Sequence, residues 1–139
     1  MSSDIKVDNV VLPNKPLSNV ELLDAVKKIV IPGFRGVFVR DNLPSKSRKG
    51  ECGILNLDDA SGKGTHWVAW SRTEKNKFYF DSYGVQPPLE LINYLKNPIL
   101  YNTERLQPKD QVFCGHLRLF VLKQLSLGRH LQEIVNELH

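Results

Sequence analysis

The hydrophobic period of the chain changes twice along its length, and this change limits the folds it can adopt. Ser18 and Glu21 have the spacing of a capping box, and apolar residues then recur at helical spacing until Pro32-Gly33. From Phe34 the apolar runs become short, β-branched and aromatic, which is typical of strands. Helical spacing returns in the last third. Helices at both ends and strands between them predict an α+β fold with a central mixed or mostly antiparallel sheet flanked by helices.

The short apolar runs are predicted to be the strands of this sheet. The second run is apolar on both faces except at Asn56, so we expect it to be central. The third and fourth runs flank a charged turn and are predicted to form a hairpin. The predicted strands lie at Phe34–Val39, 52–57, 66–71, 78–81 and 99–106.

The helices after the strands are indicated by their ends as well as by their spacing. Pro87-Pro88 is predicted to open one helix, because proline suits the first turn. Another is predicted to begin near Cys114 and to end at Gly128, a residue typical of helix C-terminal caps. Apolar residues at helical spacing from Leu131 onward predict a final helix.

Length and composition favour one packed domain. The chain has 139 residues, of which 41% are hydrophobic and 24% charged, and this is ordinary for a globular protein with a core. Residues 1–17 mix polar residues with prolines and show no sustained period. We therefore expect 1–17 to be a tail or loosely docked arm and 18–139 to be a single domain.

Charge and cysteine content exclude several classes of protein. The net charge of +4 favours contacts with polyanions without requiring them. Two cysteines are too few for a disulfide framework, and no apolar run approaches the roughly 20 residues of a membrane span. Spacings typical of zinc sites, phosphate loops and dinucleotide sites are absent. We expect a soluble protein in a reducing compartment, with no metal and no cofactor required.

Cys114 lies where a polar loop meets the start of a predicted helix. A thiol there faces free backbone N–H groups and the positive end of the helix dipole, which favour the thiolate. The same N–H groups can stabilise an oxyanion, and Gly115 lets a substrate carbonyl approach the backbone. A buried structural cysteine at the start of a helix explains the pattern equally well.

A nucleophilic thiol needs a base, and His66 has the most suitable setting among the four histidines. It precedes an apolar strand directly after a glycine-containing loop. His116 lies only two residues beyond Cys114, a spacing that directs helical side chains apart. His130 and His139 are explained by packing or solvation. A purely structural role for His66 beside Trp67 also remains open.

Asp81 closes the strand predicted to pair with the one that follows His66. If the two residues lie on neighbouring strands, the carboxylate can hold one imidazole nitrogen while the other faces sulfur. The alternative is that Asp81 opens an Asp-Ser-Tyr-Gly turn, which aspartate does well unaided.

Taken together, these residues give the chain a resemblance to the adenovirus protease (adenain) family, including proteases of Polinton and adintovirus-type viruses and mobile DNA elements. It is also distantly similar to SUMO and ubiquitin-like-protein proteases. The resemblance runs from about Ser18 to the helix after Gly128. The motifs that carry it are Phe34-Arg-Gly-Val-Phe, Glu51-Cys-Gly-Ile-Leu-Asn-Leu, Gly64-Thr-His66-Trp67-Val-Ala, Tyr79-Phe-Asp81-Ser-Tyr-Gly84, and Gln107 ahead of Cys114-Gly115.

The resemblance implies an adenain/ubiquitin-like-protease fold with the nucleophile at the N-terminus of a helix. Cys114 is then the nucleophile, His66 the general base and Asp81 the acidic member of the triad. Gln107 donates to the oxyanion, with Gln111 as a rival.

The substrate side of the site also follows from the resemblance. Trp67 walls a narrow groove and Gly115 lies beside the substrate. Cys52 matches a buried strand cysteine of the family.

The resemblance also suggests activators, with one departure. The family's activating peptide is disulfide-linked to a cysteine before the glutamine, but residues 97–106 contain none. DNA is a further activator in the family. A basic cluster offers a DNA contact, although a solvated loop gives the same pattern: Lys46, Arg48, Lys49 and Lys63.

The predicted function is that of a cysteine endopeptidase cleaving near small or glycine residues, in capsid or core precursors of a virus or element. Two alternatives remain: an isopeptidase that removes ubiquitin-like modifiers, and a protease-like domain kept as a non-enzymatic binding module. We expect a monomer that acts on polypeptide, without membrane contact, in the host nucleus or the virion.

Overall fold

The computed structural model describes residues 5–7, 10–12, 18–57, 66–105 and 114–138, with Ile5, Lys6, Asn19, Cys114 and Gly115 described by their backbone alone. Within these ranges the chain forms seven strands and four helices. The strands are β1 (Ile5–Val7), β2 (Val10–Leu12), β3 (Phe34–Val39), β4 (Cys52–Asn56), β5 (Trp67–Arg72), β6 (Lys77–Phe80) and β7 (Leu100–Tyr101). The helices are α1 (Asn19–Ile29), α2 (Leu89–Leu95), α3 (Cys114–Ser126) and α4 (Leu131–Leu138).

The main sheet has five strands in the order β3-β4-β5-β6-β7. β4, β5 and β6 pair antiparallel, while the outer strands β3 and β7 pair parallel with their neighbours. The prediction of a mixed sheet is confirmed. β4 lies between two strands and is buried along its whole length, and β5 and β6 form the expected hairpin.

Both faces of this sheet are covered by helices, as the α+β prediction requires. One face packs against α1, α3 and α4, and the other packs against α2. The alternation of strand side chains produces this division, because successive residues point to opposite faces. In β5, Ala69 belongs to the larger core, while its neighbours Val68 and Trp70 belong to the smaller one.

The helix ends follow local sequence signals. The capping box of α1 is present, because Glu21 N donates to Ser18 Oγ (3.2 Å) and Ser18 N donates to Glu21 Oε1 (3.1 Å). α3 begins at Cys114, as predicted, and Gly128 follows its end with φ +90°, a conformation that glycine adopts readily. The prediction that Pro88 lies in the first turn of α2 differs by one position from the structure, in which Pro88 is the residue just before the helix.

Two predicted segments differ in detail from the structure. The strand predicted at 99–106 is only two residues long, because the side chain of Asn102 takes over the backbone pairing with Asp81. β1 and β2 pair antiparallel within the segment predicted to be a tail or arm, and Val7 and Leu12 are buried in the larger core. The domain boundary at residue 18 stays a prediction.

Candidate active site

The β5–β6 hairpin brings two of the predicted site residues together. His66 immediately precedes β5 and Asp81 immediately follows β6, so antiparallel pairing places both at the same end of the sheet. The distance between His66 Nε2 and Asp81 Oδ1 is 2.8 Å. The contact requires no unusual loop, because it joins the two open ends of a single hairpin.

The two nitrogens of the His66 ring have different surroundings. Nε2 donates to the Asp81 carboxylate, so the neutral ring carries its hydrogen on Nε2 and a lone pair on Nδ1. Nδ1 is buried and has no hydrogen-bond partner among the residues that the structure describes. The ring stacks on Tyr83, with centroids 4.4 Å apart and planes 19° apart. His66 is thus oriented by two contacts, and Nδ1 is left to act as a proton acceptor.

Asp81 is held by groups other than the histidine. Its side chain is buried, and Oδ1 also accepts the backbone N–H of Tyr83 at 3.0 Å. Its own backbone N–H donates to Asn102 Oδ1 (3.1 Å), and its carbonyl accepts from Asn102 Nδ2 (2.7 Å). The carboxylate therefore opens the turn and also contacts His66, while its role in a catalytic triad stays a prediction.

The turn after Asp81 needs its glycine. Gly84 N donates to Asp81 O at 2.9 Å, and Gly84 has φ +70°. A β-carbon on Gly84 would lie 2.5 Å from the backbone oxygen of Thr103. The Asp-Ser-Tyr-Gly sequence thus fits the backbone tightly against the segment after β7, which fixes the position of Asp81.

Helix α3 approaches this end of the sheet and packs against β5. Arg118 is fully buried; its Nε donates to the backbone oxygen of Trp67 (2.6 Å) and its Nη2 donates to Ser82 Oγ (2.9 Å). Cys114 is the first residue of α3 and lies one turn before Arg118, a spacing that places the two positions on one helix face. The backbone therefore brings the start of α3 to the end of the sheet that holds His66 and Asp81.

The remaining residues predicted for the substrate and oxyanion are placed only in part. Trp67 is half-buried and packs against the larger core, and Gly115 is the second residue of α3. Gln107 and Gln111 lie outside the described residues, so the choice between them stays a prediction.

The predicted basic cluster lies mainly on the loop between β3 and β4. Lys46, Arg48 and Lys49 are exposed there, and Lys63 lies outside the described residues. The buried Glu51 holds the backbone of this loop, since its Oε1 accepts from Arg48 N at 2.6 Å.

Cys52 has surroundings unsuited to a nucleophile. Its side chain is buried, and burial, with the charge of Glu51, raises the pKa of the thiol to about 12. A thiol with this pKa is almost entirely protonated at neutral pH. The prediction that Cys52 is a buried structural residue is confirmed.

In the described part of the chain, no three His, Cys, Asp or Glu residues are grouped so as to hold a metal ion. None of the helices formed by the described residues has the length and apolar character needed to cross a membrane.

Three residues of this site were not anticipated from the sequence. Tyr83 stacks on His66, Asn102 holds the backbone of Asp81, and Arg118 joins α3 to both strand ends. Arg118 has the clearest signal in the sequence, because it is a charged residue between Leu117 and Leu119 in an otherwise apolar part of the helix. Tyr83 lies in the Tyr79–Gly84 motif but had no predicted role, and Asn102 carries no distinctive local pattern.

Comparison with known proteins places the fold among those of proteases. One solved structure with this fold is the crystal structure of the selenomethionine ASFV pS273R protease, with a TM-score of 0.54 and 18% sequence identity. The match covers 86% of this chain and 61% of that protease, so the chain spans about three-fifths of its length. No family model matches the chain, and no curated protein matches it. At this identity the likeness shows the fold alone.

Proposed function

We propose that this chain is a cysteine endopeptidase in which Cys114 is the nucleophile, His66 the general base and Asp81 the orienting carboxylate. The observation that carries the proposal is the asymmetry of the His66 ring. Nε2 is bonded to a buried carboxylate, while Nδ1 is buried without a hydrogen-bond partner in the described part of the chain. A histidine held in this way is the base that a thiol nucleophile requires.

The reaction that fits this arrangement is acyl transfer in two steps. His66 Nδ1 takes the thiol proton while the Cys114 sulfur attacks the scissile carbonyl carbon. The carbon–nitrogen bond then breaks, the amine leaves with the proton from His66, and a thioester remains. Water attacks the thioester as His66 takes its proton, releasing the acid and regenerating the thiol. Asp81 keeps the ring oriented and stabilises the imidazolium.

The oxyanion of each tetrahedral intermediate needs hydrogen-bond donors. The start of α3 offers backbone N–H groups as donors, because the first N–H groups of a helix have no partner within the helix itself. Gln107 is proposed to add its side-chain amide, with Gln111 as the alternative. Gly115 leaves room for the substrate backbone.

The proposed substrates are polypeptides with small or glycine residues beside the scissile bond, such as capsid or core precursors of a virus or mobile element. Trp67 is proposed to wall the groove there. The likeness to a protease of ASFV supports a viral setting. An isopeptidase acting on ubiquitin-like modifiers uses the same acyl-transfer chemistry, and both substrate classes can end in Gly-Gly.

Activity on two substrate panels tests the proposal. We expect cleavage of fluorogenic Gly-Gly peptides, and loss of cleavage in Cys114→Ala and in His66→Ala. Cys52→Ala is the matched control and should retain activity, because Cys52 is buried away from the site. Full activity in Cys114→Ala would refute the assignment. Preferential cleavage of ubiquitin-like conjugates would select the isopeptidase, and absence of cleavage together with an unreactive Cys114 would select the binding module.

DNA is proposed as an activator of this enzyme through the basic cluster of Lys46, Arg48, Lys49 and Lys63. The exposure of the first three side chains supports this, since phosphate contacts need accessible cations. We expect DNA to raise the cleavage rate at low salt, and the increase to be lost in Lys46→Glu/Lys49→Glu. A peptide activator, if one acts, binds without a disulfide in 97–106. The proposed setting is a monomer in the host nucleus or the virion, with no cofactor required for the chemistry.

A further inference from the structure

Arg118 is a charged residue in a place where charge is costly. Its side chain is completely buried in α3, beside the fully buried Leu119 and one turn before Leu122. A buried guanidinium destabilises a protein unless its donors find partners. An aliphatic residue would fill this position in a helix whose only task was to cover a sheet, so the contacts of Arg118 require an explanation.

Those contacts are made to the neighbours of the proposed catalytic pair. Nε donates to the carbonyl of Trp67, the residue after His66, at 2.6 Å. Nη2 donates to Ser82 Oγ, the residue after Asp81, at 2.9 Å. The guanidinium carbon lies 5.2 Å from the ring centroid of Phe80, the residue before Asp81. One side chain thus contacts the chain on both sides of Asp81 and immediately after His66.

The same side chain is attached to the helix that begins at Cys114. The two positions are separated by one helical turn, about 6 Å of rise, and the helix between them is continuous. Because the guanidinium is planar and its donors have fixed directions, meeting an oxygen on each strand end fixes the helix in position along the sheet.

We infer that Arg118 is a positioning residue that sets the position of the start of α3 relative to the His66–Asp81 pair. This inference rests on the proposed function, because it gives Cys114 and His66 the roles of nucleophile and base. In this inference Arg118 acts through its bonds to Trp67 and Ser82 and through the helix backbone, and it takes no chemical step itself.

The expected effect of removing Arg118 is a loss of rate with substrate binding retained. A displacement of about 1 Å between nucleophile and base costs roughly 100-fold in rate. We therefore expect Arg118→Met to lower kcat by roughly 10- to 100-fold while KM changes little. Arg118→Lys keeps the charge but cannot donate to both partners in fixed directions, so it should recover only part of kcat.

The rate of alkylation of Cys114 by iodoacetamide, followed against pH, provides a readout that stability alone does not move. In the wild type this rate should depend on His66. In Arg118→Met the dependence on His66 should weaken, since the thiol is no longer held against its base. Leu122→Ala is the matched control, because Leu122 is buried on the same helix but contacts neither strand end through a polar group. It should lower the melting temperature and leave kcat and the alkylation profile of the folded protein unchanged.

The outcomes separate this inference from the proposed function. If wild-type Cys114 shows no alkylation that depends on His66, the proposed function fails whatever Arg118 does. If wild-type Cys114 does, and folded Arg118→Met keeps the wild-type kcat and alkylation profile, the positioning role is overturned. Should Arg118→Met not fold, Arg118→Lys and Ser82→Ala carry the test. Ser82→Ala removes one of the two contacts and should lower kcat several-fold, and an unchanged kcat in both of these variants also overturns the role.

Discussion

Asp81 and Glu51 are both buried carboxylates at the ends of the central strands, and they differ in what faces them. Asp81 Oδ1 meets one backbone N–H and the ring of His66. The Glu51 carboxylate accepts from the indole of Trp70 (3.0 Å), the hydroxyl of Tyr94 (2.5 Å) and the guanidinium of Arg35 (3.0 Å), and also from the Arg48 backbone.

The difference separates the carboxylate proposed to act in catalysis from one that stabilises the fold. Burial is similar for the two, so burial alone does not identify the site. Every named partner of Glu51 is a donor whose bond is complete in the folded protein. The partner of Asp81 is an imidazole whose second nitrogen has no hydrogen-bond partner among the described residues, and which can therefore accept a proton. A buried acid is therefore a candidate for catalysis when the group it binds can still accept or donate a proton.

Replacing the Asp81 carboxylate with an amide tests the difference between Asp81 and Glu51, and we expect it to have the largest effect. We expect Asp81→Asn to lower kcat/KM for a Gly-Gly peptide by roughly 100- to 10,000-fold, because an amide neither fixes the same tautomer nor stabilises the imidazolium. Glu51→Gln is the matched control and should keep its rate per folded molecule. Equal losses in the two variants would remove the distinction between the carboxylates.

Removing the Glu51 side chain should have the opposite signature, with stability lost and rate retained. Deleting one partner of a buried charged group costs about 3–5 kcal/mol, since the remaining donors are left without an acceptor. We expect Glu51→Ala to lose this much free energy of unfolding in urea. Glu74→Ala, in the exposed turn between β5 and β6, should stay within about 0.5 kcal/mol of the wild type. A fall in kcat of folded Glu51→Ala would contradict the contrast.

The same comparison can be made for the two thiols, Cys52 and Cys114, because Cys52 is the residue after Glu51. Burial and that charge raise its pKa from 9.0 to about 12, so the folded protein holds the thiol proton more tightly than the unfolded chain does. This contribution is complete below about pH 9 and is lost as the pH rises towards 12. At about pH 10 we expect the wild type to have lost about 1.4 kcal/mol more stability than Cys52→Ala, relative to neutral pH.

Urea unfolding at several pH values checks this expectation, with Cys114→Ala as the background so that only one thiol titrates. Parallel pH curves for the two proteins would show that Cys52 is not perturbed. In a separate experiment, brief alkylation of the wild type at neutral pH should label Cys114 and not Cys52.

The smallest effect on kcat/KM is expected from removing the ring of Tyr83. Aromatic stacking contributes about 0.5–1.5 kcal/mol, so Tyr83→Ala should lower kcat/KM by about 2- to 12-fold, while Tyr83→Phe keeps the stack and the rate. A rate lost in Tyr83→Phe would instead assign a role to the hydroxyl of Tyr83.

At the other end of the sheet, Tyr94→Phe removes a donor to Glu51. It should lower stability by about 1–3 kcal/mol without affecting the rate.

The elements that sequence predicted well are those with local causes. β3 has the predicted bounds, and the capping box of α1 has both of its hydrogen bonds. The pairing directions of the outer strands were not predictable, because they depend on contacts between residues far apart in sequence. β7 was predicted too long for the same reason, since its continuation is replaced by the side chain of Asn102, which bonds a residue 21 positions away.

The candidate site divides in the same way. His66 and Asp81 were found from their places at the open ends of a hairpin, and the structure joins them. Arg118 was missed because its partner Trp67 lies 51 residues away, a distance over which sequence period carries no information. The role of Cys114 stays a prediction, since only its place at the start of α3 is described.

The hairpin origin of the contact between His66 and Asp81 has a consequence for the order in which the candidate site forms. The two residues are 15 positions apart, so only a short loop must close to join them, and hairpins form within about 1–10 μs. Helix α3 is translated later and must dock from a distance. The contact between His66 and Asp81 can therefore form before α3 docks, and under the proposed function the docking of α3 completes the active site. Under the same proposal, a nascent chain held short of that docking would be partly folded and unable to cleave other proteins.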